Sequence, residues 1–203
     1  MIVIVDYGLG NLASVLNMFK KVGAKEVIIS GDKEIISKAD KILLPGVGAF
    51  DAGMTNLENS GLISILNQKA LVEKVPVLGI CLGMQLLTKR SEEGVKVGLG
   101  WIDAETVKFN PDPSLKLKVP NMGWNYIQVQ KKNPLLESDG KNRFYFVHSY
   151  YVKCFDETQS LATSNFGIDY TCAVNKENIY GTQFHPEKSL KFGMKVLENF
   201  VKL

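Results

Sequence analysis

The sequence predicts an α/β fold: a mostly parallel central sheet, extended by antiparallel strands and flanked by helices. Three observations carry this. Short β-branched runs alternate with helical patterns through the first half of the 203 residues. Those runs are apolar on both faces, as strands covered by helices on both sides must be. The second half is β-rich and shows no long helical pattern until a closing amphipathic helix.

Ile2 to Val5 reads as the first strand, and Asn11 is placed to cap a helix carrying Leu12, Val15, Leu16 and Phe19 on one face. Gly23 ends that helix. Val27 to Ile29 forms a second strand, a short helix starts at about Asp32, and Ile42 to Leu44 forms a third strand halted by Pro45. A helix from about Leu62 to Glu73 leads into Val77 to Ile80. Beyond it, β-rich segments lie near Trp101 to Phe109, Asn125 to Gln130, Phe144 to Val147 and Tyr170 to Tyr180. These are expected to add antiparallel strands to the sheet. The last helix runs from about Ser189 to Val201. No linker, internal repeat or low-complexity segment divides the chain, so residues 1–203 read as one domain.

Composition narrows the function classes. Hydrophobic residues make up 45% and charged residues 22%, which is ordinary globular usage. No apolar run reaches the ~18 to 20 residues of a membrane helix. The net charge is +3, from 24 basic and 21 acidic residues, which is too balanced to point to nucleic acid. Three cysteines without a CxxC pair speak against a disulfide framework and for a reducing compartment, the cytosol. With two histidines and no close Cys/His spacing, no metal site is expected.

Four motifs bear on chemistry. Gly8-Leu9-Gly10-Asn11-Leu12-Ala13 fits a dinucleotide-binding fingerprint, and Asp32 stands where a ribose-binding acid would. However, Asp6 and Tyr7 lengthen the turn, so a tight turn placing Asn11 near a site is the better reading. Gly79-Ile80-Cys81-Leu82-Gly83 is stronger: an apolar strand runs into a G-x-C-x-G turn and then a helix, the nucleophile elbow with cysteine in the serine position. Glycines two residues either side remove side chains that would collide around a strained turn. In Gln183-Phe184-His185-Pro186-Glu187, Pro186 disfavours helix at His185, and an extended segment would place the Glu187 carboxylate beside the imidazole. A carboxylate holding one ring nitrogen leaves the other free to exchange a proton with Cys81. Finally, Pro45-Gly46-Val47-Gly48 follows the third strand. A backbone N–H near Val47 and that of Leu82 are the two candidate donors for an oxyanion.

The combination resembles the class I (triad-type) glutamine amidotransferases, and more closely the family of glutaminase subunits of imidazole glycerol phosphate synthase. It rests on Asp6-Tyr7-Gly8-Leu9-Gly10-Asn11-Leu12, Pro45 to Phe50, Gly79 to Gln85, Met122-Gly123-Trp124-Asn125, Phe146-Val147-His148-Ser149-Tyr150 and the His185 segment. The resemblance implies a flavodoxin-like sheet, no cofactor, and a catalytic triad of Cys81, His185 and Glu187 acting on L-glutamine. It places Gly48, Gln85, His148, Ser149 and Tyr150 around the substrate. Asn11, Asn121, Trp124, Asn125 and Lys188 would face the partner, a (β/α)8-barrel cyclase in a heterodimer that receives ammonia for histidine biosynthesis. One departure stands out: the family pattern has His before Met-Gly-Trp-Asn, and here the residue is Asn121, which bonds but carries no charge. That bears on coupling to the partner and leaves the triad intact. Related subunits feed ammonia to nucleotide-sugar amidation, the alternative acceptor. A stand-alone cysteine hydrolase would leave the Met-Gly-Trp-Asn and Pro-Gly-Val-Gly segments unexplained.

Overall fold

A computed structural model describes residues 1–137, 140 and 142–203. Its first half is β1 (Ile2–Val5), α1 (Leu12–Lys21), β2 (Val27–Ser30), α2 (Lys33–Ser37), β3 (Lys41–Gly46), α3 (Phe50–Asn59), α4 (Ile63–Asn67), β4 (Val77–Cys81) and α5 (Leu82–Leu86). The second half is β5 (Ala104–Lys108), β6 (Asn121–Tyr126), β7 (Gln128–Val129), β8 (Arg143–His148), β9 (Tyr150–Cys154), β10 (Ser160–Asn165), β11 (Asp169–Lys176), β12 (Ile179–Thr182) and α6 (Leu190–Lys202).

Strands β2, β1, β3, β4 and β12 lie side by side in that order, all parallel. Antiparallel β11, β10 and β7 extend the sheet, while β9 pairs with both β11 and β5. The two-residue side-chain period explains the doubly apolar strands. In β1, Ile2 and Ile4 join a core layer with Phe19 of α1 and Phe200 of α6, whereas Val3 and Val5 join the opposite layer with Phe50, Met54 and Leu57 of α3. Two capping side chains set helix starts: Asn11 accepts from the Ser14 N–H at 3.3 Å, and Asp32 accepts from the Glu34 N–H at 2.7 Å. Both residues of the apparent dinucleotide fingerprint are thus engaged in capping.

The structure differs from expectation in several places, β9 and β10 being strands that the sequence reading did not give. Pro45 does not halt β3, which runs to Gly46; the proline lacks an N–H, but its carbonyl accepts from the Tyr7 hydroxyl at 2.7 Å. Helix α3 was not anticipated because Gly53, Thr55 and two asparagines dilute its propensity. Burial of Phe50, Met54 and Leu57 along one face compensates, and Glu93 accepts from the Phe50 N–H at 2.8 Å in place of a local cap. The segment Tyr170 to Tyr180 is two strands broken at Glu177, whose φ is +51°. Lastly, β6 and β8 do not join the large sheet. They form a separate antiparallel ribbon, with Met122, Trp124 and Tyr126 exposed on one side.

The register places the chemistry. Gly46 lies opposite Cys81, and Thr182 opposite Ile80, so the carboxyl ends of the neighbouring strands β3, β4 and β12 come together. A side chain at position 83 would collide with the Leu44 carbonyl, so this junction tolerates only glycine. Gly83→Ala is expected to cost about 3 kcal/mol through overpacking against backbone. The melting midpoint should then fall by about 6 to 12 °C in calorimetry; an unchanged midpoint would show that the junction relaxes freely.

Candidate active site

Cys81 caps α5 with φ +54° and ψ −111°, a conformation that non-glycine residues adopt at a cost of roughly 1 to 3 kcal/mol. The turn persists because its surroundings admit no other. A side chain on Gly79 would lie 2.7 Å from the Gly83 carbonyl oxygen. The sulfur is thereby presented at the amino end of α5, whose first N–H groups have no partner within the helix. Cys81 is 8% exposed.

The chain leaves β12 extended at His185 (φ −98°, ψ 98°) and then makes one 3-10 turn, Pro186–Lys188. That turn, and not a continuing strand, brings Glu187 back against the ring. Glu187 Oε1 lies 2.7 Å from His185 Nδ1, with the two side chains 3% and 2% exposed. The His185 backbone is pinned from both sides: its N–H donates to the Tyr145 carbonyl at 3.0 Å, and its carbonyl accepts from Ser189 Oγ at 2.6 Å. Nε2 is buried and has no hydrogen-bond partner among the described residues, yet the Cys81 sulfur lies near enough to act on the charge of the ring. Burial alone would push the imidazole pKa down. Cys81 and Glu187 outweigh burial and carry it up to about 9. The ring therefore holds a proton through neutrality.

His148 shows the opposite. Burial dominates there and lowers its pKa to about 4. Nδ1 lies 2.7 Å from the Tyr150 carbonyl and must be its protonated nitrogen, which leaves Nε2 to accept from Asn121 Nδ2 at 3.2 Å and the Tyr170 hydroxyl at 3.3 Å. Asn121 was expected at a partner-facing surface. It is only 2% exposed and points inward, its Oδ1 accepting from Asn125 Nδ2 at 3.0 Å. The β6 alternation accounts for this, because Asn121 falls on the covered face and Trp124 on the open one. Asn125 is half-buried, whereas Asn11, Trp124 and Lys188 are exposed; the Arg143 guanidinium lies 5.6 Å over the Trp124 ring.

Cys81 and His185 open onto a cavity of about 360 Å³ whose walls include Val47, Gly48, Leu82, Gln85, His148, Ser149 and Tyr150. Glu187 stands behind the imidazole, outside the wall, whereas Lys188 contributes to it. Gly48 has φ +112°, a conformation open to glycine and few others, which lets the loop after β3 turn along the cavity wall. Two residues were missed in the sequence. Glu93, whose carboxylate serves α3, also lines the cavity, and nothing local in its segment marks it. Gln183 is fully buried and reaches Cys81 Sγ at 3.7 Å; its position two residues before His185 was the available signal. The other thiols are poor nucleophiles: burial pushes Cys154 up to about 11 and Cys172 further still. No three His, Cys, Asp or Glu side chains among the described residues group as metal ligands, and no helix there is long and apolar enough to cross a membrane.

A cysteine on a nucleophile elbow, near a carboxylate-held histidine at the ends of parallel strands, is the arrangement that triad enzymes use for acyl transfer. The sequence model of the family "Glutamine amidotransferase class-I" matches residues 3–203. A Methanococcus maripaludis protein named "Imidazole glycerol phosphate synthase subunit HisH 2" is 58% identical over all of this chain and 99% of its own length. A protein of the same name from Pseudomonas aeruginosa is 51% identical over the whole of both chains. Among solved structures, a glutamine amidotransferase superposes with TM-score 0.74 at 19% identity, over 98% of this chain and 97% of its own. PurLQS from Thermotoga maritima gives TM-score 0.73 at 16% identity, over 99% and 97%. Those two are likenesses of fold alone. The chain belongs to the class I glutamine amidotransferases and, within them, to the family of HisH subunits.

Because the folded pKa of His148 lies below its ordinary 6.5, stability from its neutral form is complete above 6.5 and is lost as pH falls through about 4. Wild type and His148→Gln, unfolded with urea at neutral pH and near pH 4, should therefore converge by roughly 3 kcal/mol at the acid end. A constant difference would mean that His148 is not held neutral.

Proposed function

We propose that this chain is the glutaminase subunit of an imidazole glycerol phosphate synthase. It hydrolyses glutamine to glutamate and passes the ammonia to a (β/α)8-barrel cyclase, for imidazole glycerol phosphate and a carboxamide ribonucleotide in histidine biosynthesis. The observation that carries the reading is the division of labour on His185: Nδ1 is held by Glu187, and Nε2 is buried, without a partner among the described residues, and near a cysteine held in an elbow. The names and high identity of the HisH relatives support the pathway, and the three free cysteines fit a reducing cytosol.

In this reading the Cys81 sulfur, its proton already carried by His185, attacks the carboxamide carbon of glutamine, and the carbonyl π electrons move to oxygen. The N–H of Leu82 and one near Val47 receive that oxyanion. Collapse of the tetrahedral species expels the amine, which takes the proton from His185 Nε2 and leaves as ammonia. The thioester remains on Cys81. Water then attacks it while His185 accepts the water proton, and the sulfur departs to release glutamate. The Glu187 carboxylate orients the ring and offsets its charge in both halves. Glu93, the acidic group in the wall, suits the ammonium of an amino-acid substrate. The exposed Asn11, Trp124 and Lys188 form the face offered to the cyclase, with Asn125 behind them.

The test is a coupled assay with the cyclase and its ribonucleotide substrate, fed by glutamine or by ammonium salt. Cys81→Ala should lower glutamine-dependent turnover at least ~1,000-fold and leave ammonium-dependent turnover unchanged. Glu187→Gln should be roughly 100-fold less severe, since its role is orientation. Glutamine-dependent product from Cys81→Ala, or no coupling to the cyclase by the wild type, would defeat the proposal.

A further inference from the structure

Beside the triad, a buried polar side chain stands against the nucleophile with no role yet in the chemistry. Gln183 is fully buried, and its Nε2 donates to Cys81 Sγ across 3.7 Å. An amide can present either end to a neighbour, so its direction needs a cause. Here the cause runs back through three residues. His148 Nδ1 donates to the Tyr150 carbonyl at 2.7 Å, and Gln85 Nε2 donates to that same oxygen at 3.2 Å. Anchored this way, Gln85 Nε2 also donates to Gln183 Oε1 at 3.0 Å. With its oxygen held by a donor, Gln183 must turn its NH2 to the sulfur. The flipped amide would set oxygen lone pairs against a developing thiolate and put two NH2 groups face to face.

We propose that Gln183 is a positioning residue for the nucleophile: it holds the Cys81 sulfur in line with the cavity and favours its thiolate, with its own direction imposed by Gln85 on the Tyr150 carbonyl. The proposal rests on the glutaminase reading for its catalytic consequence, but the geometry acts on the sulfur whether or not glutamine is present. The two groups then divide the work on one atom: Gln183 bonds the sulfur and never exchanges its proton, while the His185 ring, near the same atom, carries the mobile proton. A hydrogen bond to a charged acceptor is worth about 10- to 100-fold in the equilibrium it biases. The long contact to sulfur places this one near the lower end.

Alkylation of the full chain by iodoacetamide, with the modified peptide quantified across pH, separates this role from a packing role. In Gln183→Met, which keeps the volume and removes the donor, Cys81 should react about tenfold more slowly near neutral pH. It should match wild type in strong alkali, where the thiolate forms without help. Gln183→Glu should be slower still near neutrality, because it adds a like charge. Cys154 in the same molecules is the internal reference and should be unaffected. With the cyclase present, Gln183→Met should lower kcat at least about tenfold and leave KM within about twofold. A folded Gln183→Met that alkylates like wild type, or one slowed equally at every pH, overturns the proposal. If neither variant at position 183 folds, Gln85→Leu frees the Gln183 amide to flip and should slow neutral-pH alkylation in the same direction; an unchanged rate there also overturns it. Wild-type chain without glutaminase activity in the presence of the cyclase would defeat the glutaminase reading, whereas the alkylation rates would still decide the role of Gln183.

Discussion

Leu44 places its carbonyl oxygen where a side chain on residue 83 would have to sit, and Gly79 meets the backbone of Gly83 from the other side. This three-way contact of β3, β4 and α5 drives the turn at Cys81 into a positive φ, and the remaining chemistry depends on it. A strained cysteine costs roughly 1 to 3 kcal/mol. Leu78, Met84, Leu86 and Leu87 around the same turn are fully buried, each contributing about 1.5 to 3 kcal/mol. The packing wins by a wide margin, so the elbow is a stable feature of the fold. Once Cys81 is fixed, the parallel register delivers the loop after β3 on one side and His185 on the other.

The two histidines show how little residue type decides by itself. Both are buried, and burial disfavours charge on each. His148 meets a carbonyl, an amide and a hydroxyl, all neutral, and gives up its proton early. His185 meets a carboxylate and a sulfur and keeps its proton well past neutrality. The first therefore serves as a fixed strut that defines the Tyr150 carbonyl. The second can deliver a proton to a leaving amine. Asn121 belongs with the strut: with no titratable group of its own, it satisfies Nε2 of His148 and adds no charge behind the cavity.

Much of this was legible in the sequence because the decisive signals are local. The G-x-C-x-G spacing, the proline after His185 and the β-branched runs each constrain backbone within a few residues. The pairing of His185 with Glu187 was read correctly, although the contact is made by a 3-10 turn where an extended segment was expected. What escaped depends on distant contacts. Helix α3 exists because its apolar face is buried and because Glu93, 43 residues away, accepts from its first N–H. The β6–β8 ribbon reads like sheet strands, since alternation says nothing about which strand lies alongside. Asn121 was assigned to the partner face through its place beside the Met-Gly-Trp-Asn motif of the family, yet the two-residue period turns it inward while Met122 and Trp124 stay exposed. Gln183 sits in the mixed run Gly181-Thr182-Gln183-Phe184, where nothing local aims its amide, and only the fold reveals that it meets sulfur.

The central claim is that one histidine is charged by its partners and the other kept neutral by its surroundings. A pH titration of the imidazole carbon-bound protons by NMR tests it directly, because the chain has only these two histidines. The account predicts midpoints of about 9 for His185 and about 4 for His148, with the His185 value falling in Cys81→Ala as the sulfur is removed. Two midpoints near the ordinary 6.5, with neither moved by Cys81→Ala, would contradict it.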